Sequence, residues 1–492
     1  MTRQLYDHQH AAIELLRTSL RNGHTRPMLM APTGFGKTLT AAQIIRNALN
    51  RGKKVAFTVP SISLIDQTVE EFGAEGITEI GVMQADHPLT DASKPVQVCS
   101  VQSLVKRQFP WVDLVLNDEA HEMHKVIFRW MAERQSIPFI GLSATPWSKG
   151  LGRYYDDLLI AATTKDLIER GYLSKFRVFA PSHPDLKGVH TVGGDYHEGE
   201  LAAAMDKPQL VADVVSTWMR LGENRPTFCF AVNRAHARSL EAEFQHAGIT
   251  TGYIDAYTER EDRNRIGQAF NAGRVKVVVN VGVLTRGIDW DVRCLILARP
   301  TKSEKLFVQI VGRALRTAEG KEDALILDHS DTTLKLGFVT DIHHEHLDTG
   351  KPEEGSSARP AKKQKLPTEC PAAGCSYVKP AGVHKCAACG FEPVYRKAVE
   401  TVDGELHQVG GKTRTYTQAE KQRFWSGLLW YVEQKGKSEG WAAHSYKDRF
   451  GVWPRGLSAR PVEPDIQCRH WVKSRAIAFA KGMEKREHAN AA

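Results

Sequence analysis

The chain has 492 residues, of which 42% are hydrophobic and 25% charged, and its formal net charge is +9. That is a globular balance with room for two or three domains. No run approaches about 18 uncharged apolar residues, and the start, Met1-Thr-Arg-Gln-Leu-Tyr-Asp-His, has no apolar signal core, so the expectation is a cytoplasmic protein with no membrane partner.

Residues 1–165 alternate short apolar runs with amphipathic stretches. Pro27–Ala31, Val55–Val59, Val112–Leu116 and Phe139–Leu142 read as strands, with helices such as Thr38–Leu49 and Ser63–Phe72 between them. This alternation predicts an α/β domain, a parallel sheet with helices on both faces. The pattern restarts over 166–338, with strands at Thr227–Val232, Lys276–Val281, Cys294–Ala298 and Ala324–Asp328. Two such domains in tandem leave a cleft for a ligand. Within 339–369, the polar segment Asp348–Glu369 lacks apolar periodicity and reads as a flexible linker, its Lys362-Lys363-Gln364-Lys365 run as solvated charge. A cysteine cluster at 370–392 and a mostly helical tail at 393–492 complete the chain. Residues 361–492 carry 23 Lys+Arg against 13 Asp+Glu and five of the ten Trp. Such a composition suits a polyanion with stackable bases, or a soluble surface over an aromatic core.

Two segments carry chemistry. After the first strand comes Ala31-Pro-Thr-Gly-Phe-Gly-Lys37-Thr38 and then a helix, the P-loop pattern. Thr33, Gly34, Phe35 and Gly36 form the turn whose backbone N–H groups face phosphate oxygens, and the helix points its positive end at the same oxygens. Lys37 reaches the outer phosphates and the Thr38 hydroxyl joins the Mg²⁺ shell, so ATP and Mg²⁺ are the expected ligands. Leu114-Val-Leu-Asn-Asp118-Glu119-Ala-His121 ends another strand, at the edge where open α/β sheets bind ligands. There Asp118 would hold Mg²⁺ through water, and Glu119 would orient and deprotonate the attacking water.

Asp118-Glu119-Ala120-His121, with Ser143-Ala144-Thr145 after it, resembles the DEAD/DEAH-box class of superfamily 2 helicases over about residues 1–335. Within that class it is similar to bacterial and phage DNA helicases related to the helicase subunit of restriction enzymes. The resemblance implies two tandem RecA-like domains. It implies that Gln9 reads adenine, although the family often has Arg where this chain has Tyr6 and an aromatic where it has His8. It implies nucleic-acid contacts by Pro60 and Gln102 from the first domain, and by Asn233, Arg234, Thr285 and Arg286 from the second. Gly287 and Asp289 would face the nucleotide, and Ser143 and Thr145 would couple hydrolysis to strand separation.

Gln309-Ile-Val-Gly-Arg313-Ala-Leu-Arg316 resembles the sixth motif of the class. Spacings of four and three put Gln309, Arg313 and Arg316 on one face of a helix. Arg313 and Arg316 would then act as arginine fingers on ATP held by the first domain, an effect worth about 10³–10⁵ in rate. The expected partner is DNA, single-stranded or branched, in replication, recombination or repair. The same engine working on RNA, and a restriction-system motor with a separate nuclease, stay open as alternatives. A scaffold with a degenerate ATPase conflicts with the intact Lys37, Asp118, Glu119 and Arg316.

Cys370-Pro-Ala-Ala-Gly-Cys375 and Cys386-Ala-Ala-Cys389 pair thiolates at the spacing of a zinc knuckle or ribbon, with Zn²⁺ in a structural role. His384 is a possible substitute ligand. The tail beyond resembles the helical extension of some phage-type helicases, and its aromatics at Trp425, Trp430, Tyr446, Phe450 and Trp453 have amphipathic spacing that makes most of them core.

Overall fold

The computed structural model describes residues 3–84, 86–284, 290–350, 365–393 and 416–477, and forms two compact units, Met1–Tyr395 and Arg396–Ala492. The first unit contains two parallel sheets. Strands β1 (Pro27–Met30), β2 (Val55–Val59), β3 (Ile80–Met83), β4 (Val96–Ser100), β5 (Leu114–Asp118), β6 (Phe139–Ser143) and β7 (Asp157–Ile160) associate in the order β3-β4-β2-β5-β6-β1-β7. Every pairing in this sheet is parallel. Strands β1, β2 and β6 are buried at every residue, which a sheet covered on both faces requires.

The second lobe begins with β8 (Lys175–Phe179) and a short hairpin of β9 (Thr191–Val192) and β10 (Asp195–Tyr196). It continues through β11 (Thr227–Phe230), β12 (Thr251–Ile254), β13 (Val277–Asn280), β14 (Cys294–Leu297) and β15 (Asp323–Asp328). Its sheet runs β12-β13-β11-β14-β15-β8, again all parallel. Four strands of the two sheets, β3, β7, β8 and β12, are absent from the sequence reading. They are short, and in three of them a polar residue or glycine interrupts the apolar run, as in Lys-Phe-Arg-Val-Phe and Thr-Gly-Tyr-Ile.

The apolar core runs from one lobe into the other and includes Leu173, Phe307, Val311 and Leu315. Leu173 and the helix Glu304–Ala314 press directly on the phosphate loop. A methyl group on Gly34 would meet Leu173 Cδ2 at 2.4 Å, and one on Gly312 would meet Thr33 Oγ1 at 2.6 Å. Two glycines are thus needed at the lobe contact for packing.

The expected linker is anchored at both of its described ends. Gly150 N–H donates to Asp348 Oδ1 at 3.0 Å, Gly152 N–H to the Asp348 carbonyl at 2.8 Å, and Arg153 Nε to the Thr349 carbonyl at 2.7 Å. At the other end β16 (Thr368–Glu369) pairs antiparallel with β17 (Val378–Lys379). Hydrogen bonds to Asp348 and Thr349 thus fix the chain there; Lys362, Lys363 and Gln364 lie outside the described residues. The β16–β17 ribbon rests on the edge of the second sheet, where Ala180 N–H donates to the Ser376 carbonyl at 2.8 Å and Phe179 bridges to Tyr377. Val378 is buried in the common core.

The second unit is helical. Helix Gln418–Lys435 is capped at its start by Thr417 and Glu420 and stops at left-handed Gly436; helix Glu439–Phe450 follows from the Ser438 cap. Phe424, Leu428, Ala442, Tyr446 and Cys468 form its core, with Trp425, Trp441 and Trp471 packed around it, so these aromatics are structural. Among the described residues no helix is long and apolar enough to cross a membrane.

Candidate functional site

The segments expected to act lie where strands end. The phosphate loop follows β1, Pro60 follows β2, Gln102 follows β4, Asp118 closes β5 and Ser143 closes β6. Their convergence follows from the parallel register, because every C-terminal end emerges on the same side of the sheet.

Gly34 and Gly36 both take the left-handed conformation, φ +83° each, and Gly36 caps helix Lys37–Leu49. An L-residue would be strained at either place, and a methyl on Gly36 would meet Gln9 Nε2 at 2.1 Å. The curl delivers Lys37 to the acidic box. Its Nζ lies 2.7 Å from Asp118 Oδ1 and 2.6 Å from Glu119 Oε1. Burial opposes the lysine's charge, but the two carboxylates outweigh it and raise its pKa. Burial and the neighbouring Glu119 raise Asp118 despite the lysine. Glu119 itself is a non-glycine residue at φ 47°, a local strain of about 1–3 kcal/mol that clusters at functional sites.

A cleft of about 870 Å³ opens over this group. From the first lobe it is lined by Thr33, Gly34, Gly36, Lys37, Thr38, Asp118 and Glu119, and from the second by Arg313 and Arg316. The two arginines therefore face the loop lysine across the seam. Arg316 differs from expectation in one respect. The helix ends at Ala314, so Arg316 lies beyond it, in a bridge to Leu173, and shares no helical face with Gln309. Lys321 explains the early stop: its Nζ donates to the carbonyls of Val292, Ala314 and Arg316 at 2.7, 2.5 and 2.6 Å, satisfying carbonyls that more helix would have used.

Gln309 has a different neighbourhood. Buried, it lies with Nε2 3.3 Å from His121 Nε2 and 3.5 Å from Thr145 Oγ1. His121 Nδ1 is 2.9 Å from Ser143 Oγ and 3.3 Å from Glu119 Oε2. Thr145 N–H donates to the same Ser143 hydroxyl at 3.0 Å. A polar chain thus runs from Glu119 through His121 to Gln309, joining the acidic box to the second lobe. His121 belongs to the acidic-box motif, but spacing alone gives it no part. Only the packing of helix Glu304–Ala314 on the first lobe reveals one.

The other motif residues each have a defined neighbourhood where they are described. Gln9 is fully buried; its Nε2 donates to the Phe35 and Gly36 carbonyls at 2.9 and 3.3 Å, and its Oε1 accepts from Tyr6 N–H at 2.9 Å. It fastens the opening helix to the phosphate loop, and its amide donors are engaged there. The Phe35 ring is also buried, edge-on to His8 at 4.7 Å, so only its backbone is left for a ligand. Gln102 Oε1 accepts from Ile62 N–H at 3.4 Å, which brings the segments after β2 and β4 together while Pro60 stays buried. Asn233 caps helix Arg234–His246, accepting from His236 N–H at 3.0 Å. Arg234 is 65% exposed, pairs with Asp255 at 3.0 Å and lies over the Tyr257 ring. Thr285, Arg286, Gly287 and Asp289 lie outside the described residues.

Cys370, Cys375, Cys386 and Cys389 converge, with all four Sγ atoms within 4.8 Å of one another. Two of the separations are 3.6 and 3.7 Å, far beyond a disulfide bond and near the ~3.8 Å edge of a tetrahedron with Zn–S bonds of about 2.3 Å.

Residues 2–148 match the family described as type III restriction enzyme, res subunit, and residues 206–318 match the helicase conserved C-terminal domain. The chain is 27% identical over 378 residues to a 51.5 kDa protein of a Lactococcus phage, an alignment covering 74% of this chain and 78% of that one. It is 27% identical over 355 residues to the putative ATP-dependent helicase IRC3 of Saccharomyces cerevisiae, covering 66% of this chain and 51% of the relative, about half its length. Among solved structures, the ATP-dependent type ISP restriction-modification enzyme LlaBIII bound to DNA superposes with a TM-score of 0.52 at 20% identity, over 66% of this chain and 28% of that one.

Proposed function

Because the chain belongs to the ATP-hydrolysing helicases of superfamily 2, we propose that it couples ATP turnover to movement along, or separation of, DNA strands. One observation carries the reading: Lys37 from one lobe and Arg313 and Arg316 from the other line a single cleft. ATP bound there has its phosphates against the loop backbone and Lys37. Glu119 takes the proton of the attacking water, held for that task beside Asp118 and His121. The arginine charges meet the charge developing on the transferred phosphoryl group, so hydrolysis requires the seam to be closed. Product release removes the phosphate that bridged the lobes, and the seam opens. The Glu119–His121–Gln309 chain passes that change to the second lobe.

Thr38 and Asp118 are the residues that would hold Mg²⁺, which supplies charge neutralisation on the phosphates when bound. Gln9 positions the phosphate loop through the Phe35 and Gly36 carbonyls at the wall of the cleft. Gln102, Arg234 and the segment with Thr285 and Arg286 contact the strand backbone, a recognition that carries no sequence information. The four cysteines hold a structural Zn²⁺ in a reducing, cytoplasm-like compartment.

The basic composition of residues 361–492 suits a polyanion, and the likeness to an enzyme solved on DNA favours DNA. The match of residues 2–148 to a restriction subunit favours a second reading, a motor serving a separate nuclease. ATPase rates measured side by side with single-stranded, duplex and branched DNA and with RNA test the proposal. Preferential stimulation by DNA is expected; equal stimulation by RNA would support an RNA motor, and no stimulation by any of the four would overturn the coupling.

A further inference from the structure

A second cavity, of about 590 Å³, lies in the first lobe at the end of the sheet opposite the ATP cleft. It is bounded by the segments that lead into β5 and β6 (110–113 and 136–138) and by the helices Asp7–Arg21 and Lys37–Leu49. Its floor is apolar, built by Ile13, Leu16, Leu20, Ile44, Pro138 and Ile140. Its rim is cationic, with Arg17, Arg51, Lys53 and Arg134 against the single carboxylate of Asp113.

The rim charges are not equivalent. Arg17 pairs with Glu14, and Lys53 with Asp113 at 2.9 Å. Among the described residues neither Arg51 nor Arg134 has a carboxylate partner. Arg134 instead lies 3.9 Å from the centre of the Trp111 ring, and Trp111 is 77% exposed. An exposed tryptophan under an arginine, beside an apolar hollow, is the composition of a binding hot spot. Trp111 has no role in the ATP cleft, and the cavity shares no residue with it.

We infer that this cavity docks an acidic peptide of a partner protein, with an apolar side chain seated between Ile13, Leu16 and Ile140 and its carboxylates on Arg51 and Arg134. Charge decides between occupants. A neutral apolar ligand would leave two guanidinium groups at its mouth without counter-charge. A nucleic-acid backbone has the charge but no use for a floor of isoleucine and leucine, and the strand-contacting segments emerge from the opposite end of the sheet. An acidic peptide with an apolar anchor satisfies both halves, the anchor by burial and the carboxylates by charge-assisted hydrogen bonds.

The test is anisotropy of a fluorescein-labelled peptide of aspartates ending in leucine and phenylalanine, titrated with the full-length protein. Binding is expected, with loss when the phenylalanine becomes serine or the aspartates become asparagines. The double variant Arg51→Glu/Arg134→Glu should weaken it by about tenfold or more while the basal ATPase rate and melting temperature stay put. The milder variant Trp111→Ala should weaken it severalfold. Binding that ignores both variants, or that the asparagine peptide reproduces, would overturn the inference. So would an equal loss of single-stranded DNA binding in the double variant, which would assign the rim to nucleic acid. Failure here leaves the ATP-cleft reading intact, because the two assays share no residue.

Discussion

Gly312 of the second lobe lies so close to Thr33 of the phosphate loop that a methyl group on it would come within 2.6 Å of the threonine hydroxyl oxygen. The missing side chain is what lets the arginine-bearing helix reach the nucleotide cradle. Gly312→Ala should therefore hold the seam slightly open. We expect ATP binding within about twofold of the parent and hydrolysis slowed by about tenfold, since a small misplacement of a charge-stabilising group is costly. Single-turnover hydrolysis alongside nucleotide affinity checks it; an unchanged hydrolysis rate would dissociate this contact from catalysis.

Lys37 is a cation paired with both carboxylates of the acidic box. Lys37→Ala removes it and leaves two adjacent carboxylates, which then resist being charged together. ATP turnover should disappear. Glu119→Gln should retain nucleotide binding and lose about 10²–10⁴ in hydrolysis, the usual worth of a positioned base. A Lys37→Ala protein with parental turnover would contradict the phosphate-loop assignment.

Arg313→Ala and Arg316→Ala should each lower hydrolysis by about 10³ or more with little change in nucleotide affinity. Gln309→Ala should differ in kind. Because Gln309 meets His121 and Thr145, its loss should spare much of the basal ATPase and abolish the stimulation by nucleic acid. The ratio of stimulated to basal rate reports this directly, and a ratio equal to the parent's would remove Gln309 from the coupling path.

Much of this was legible in the chain itself. The strand before the phosphate loop, the helix after it and the acidic box at the end of β5 are local patterns, and local patterns survive folding. What was not legible depends on which groups a side chain meets once the chain is folded. Arg316 leaves the helical face only because Lys321 takes the last carbonyls. Asn233 is occupied as a helix cap, and the amide donors of Gln9 are held by the Phe35 and Gly36 carbonyls. His121 gains a role only once Gln309 arrives, 188 residues later. Spacing names such residues but does not say what they touch.

Lys321 gives a prediction in pH. Burial lowers its pKa from 10.5 to about 8. In the fold it sheds its proton more readily than in the unfolded chain, so stability linked to this group is complete above about 10.5, declines between the two values, and is lost as the pH falls through about 8. Stability relative to Lys321→Met should therefore rise between about pH 8 and 10, which denaturant midpoints at a series of pH values measure. A flat difference across that window would show that the lysine titrates normally. The same substitution should slow hydrolysis more than it weakens ATP binding, because it frees the chain that carries Arg316.

The cysteine ribbon has a consequence that lies outside catalysis. Strand β8 is the outermost of its sheet, and an outermost strand offers backbone donors and acceptors to any passing chain. Through Ser376 and Tyr377 the ribbon blocks that margin. With Zn²⁺ held there as proposed, stripping it, or Cys389→Ser, should then leave the hydrolytic rate of freshly prepared protein largely intact while the molecules begin to adhere to one another. Light scattering, rather than phosphate release, would be the first instrument to register the loss.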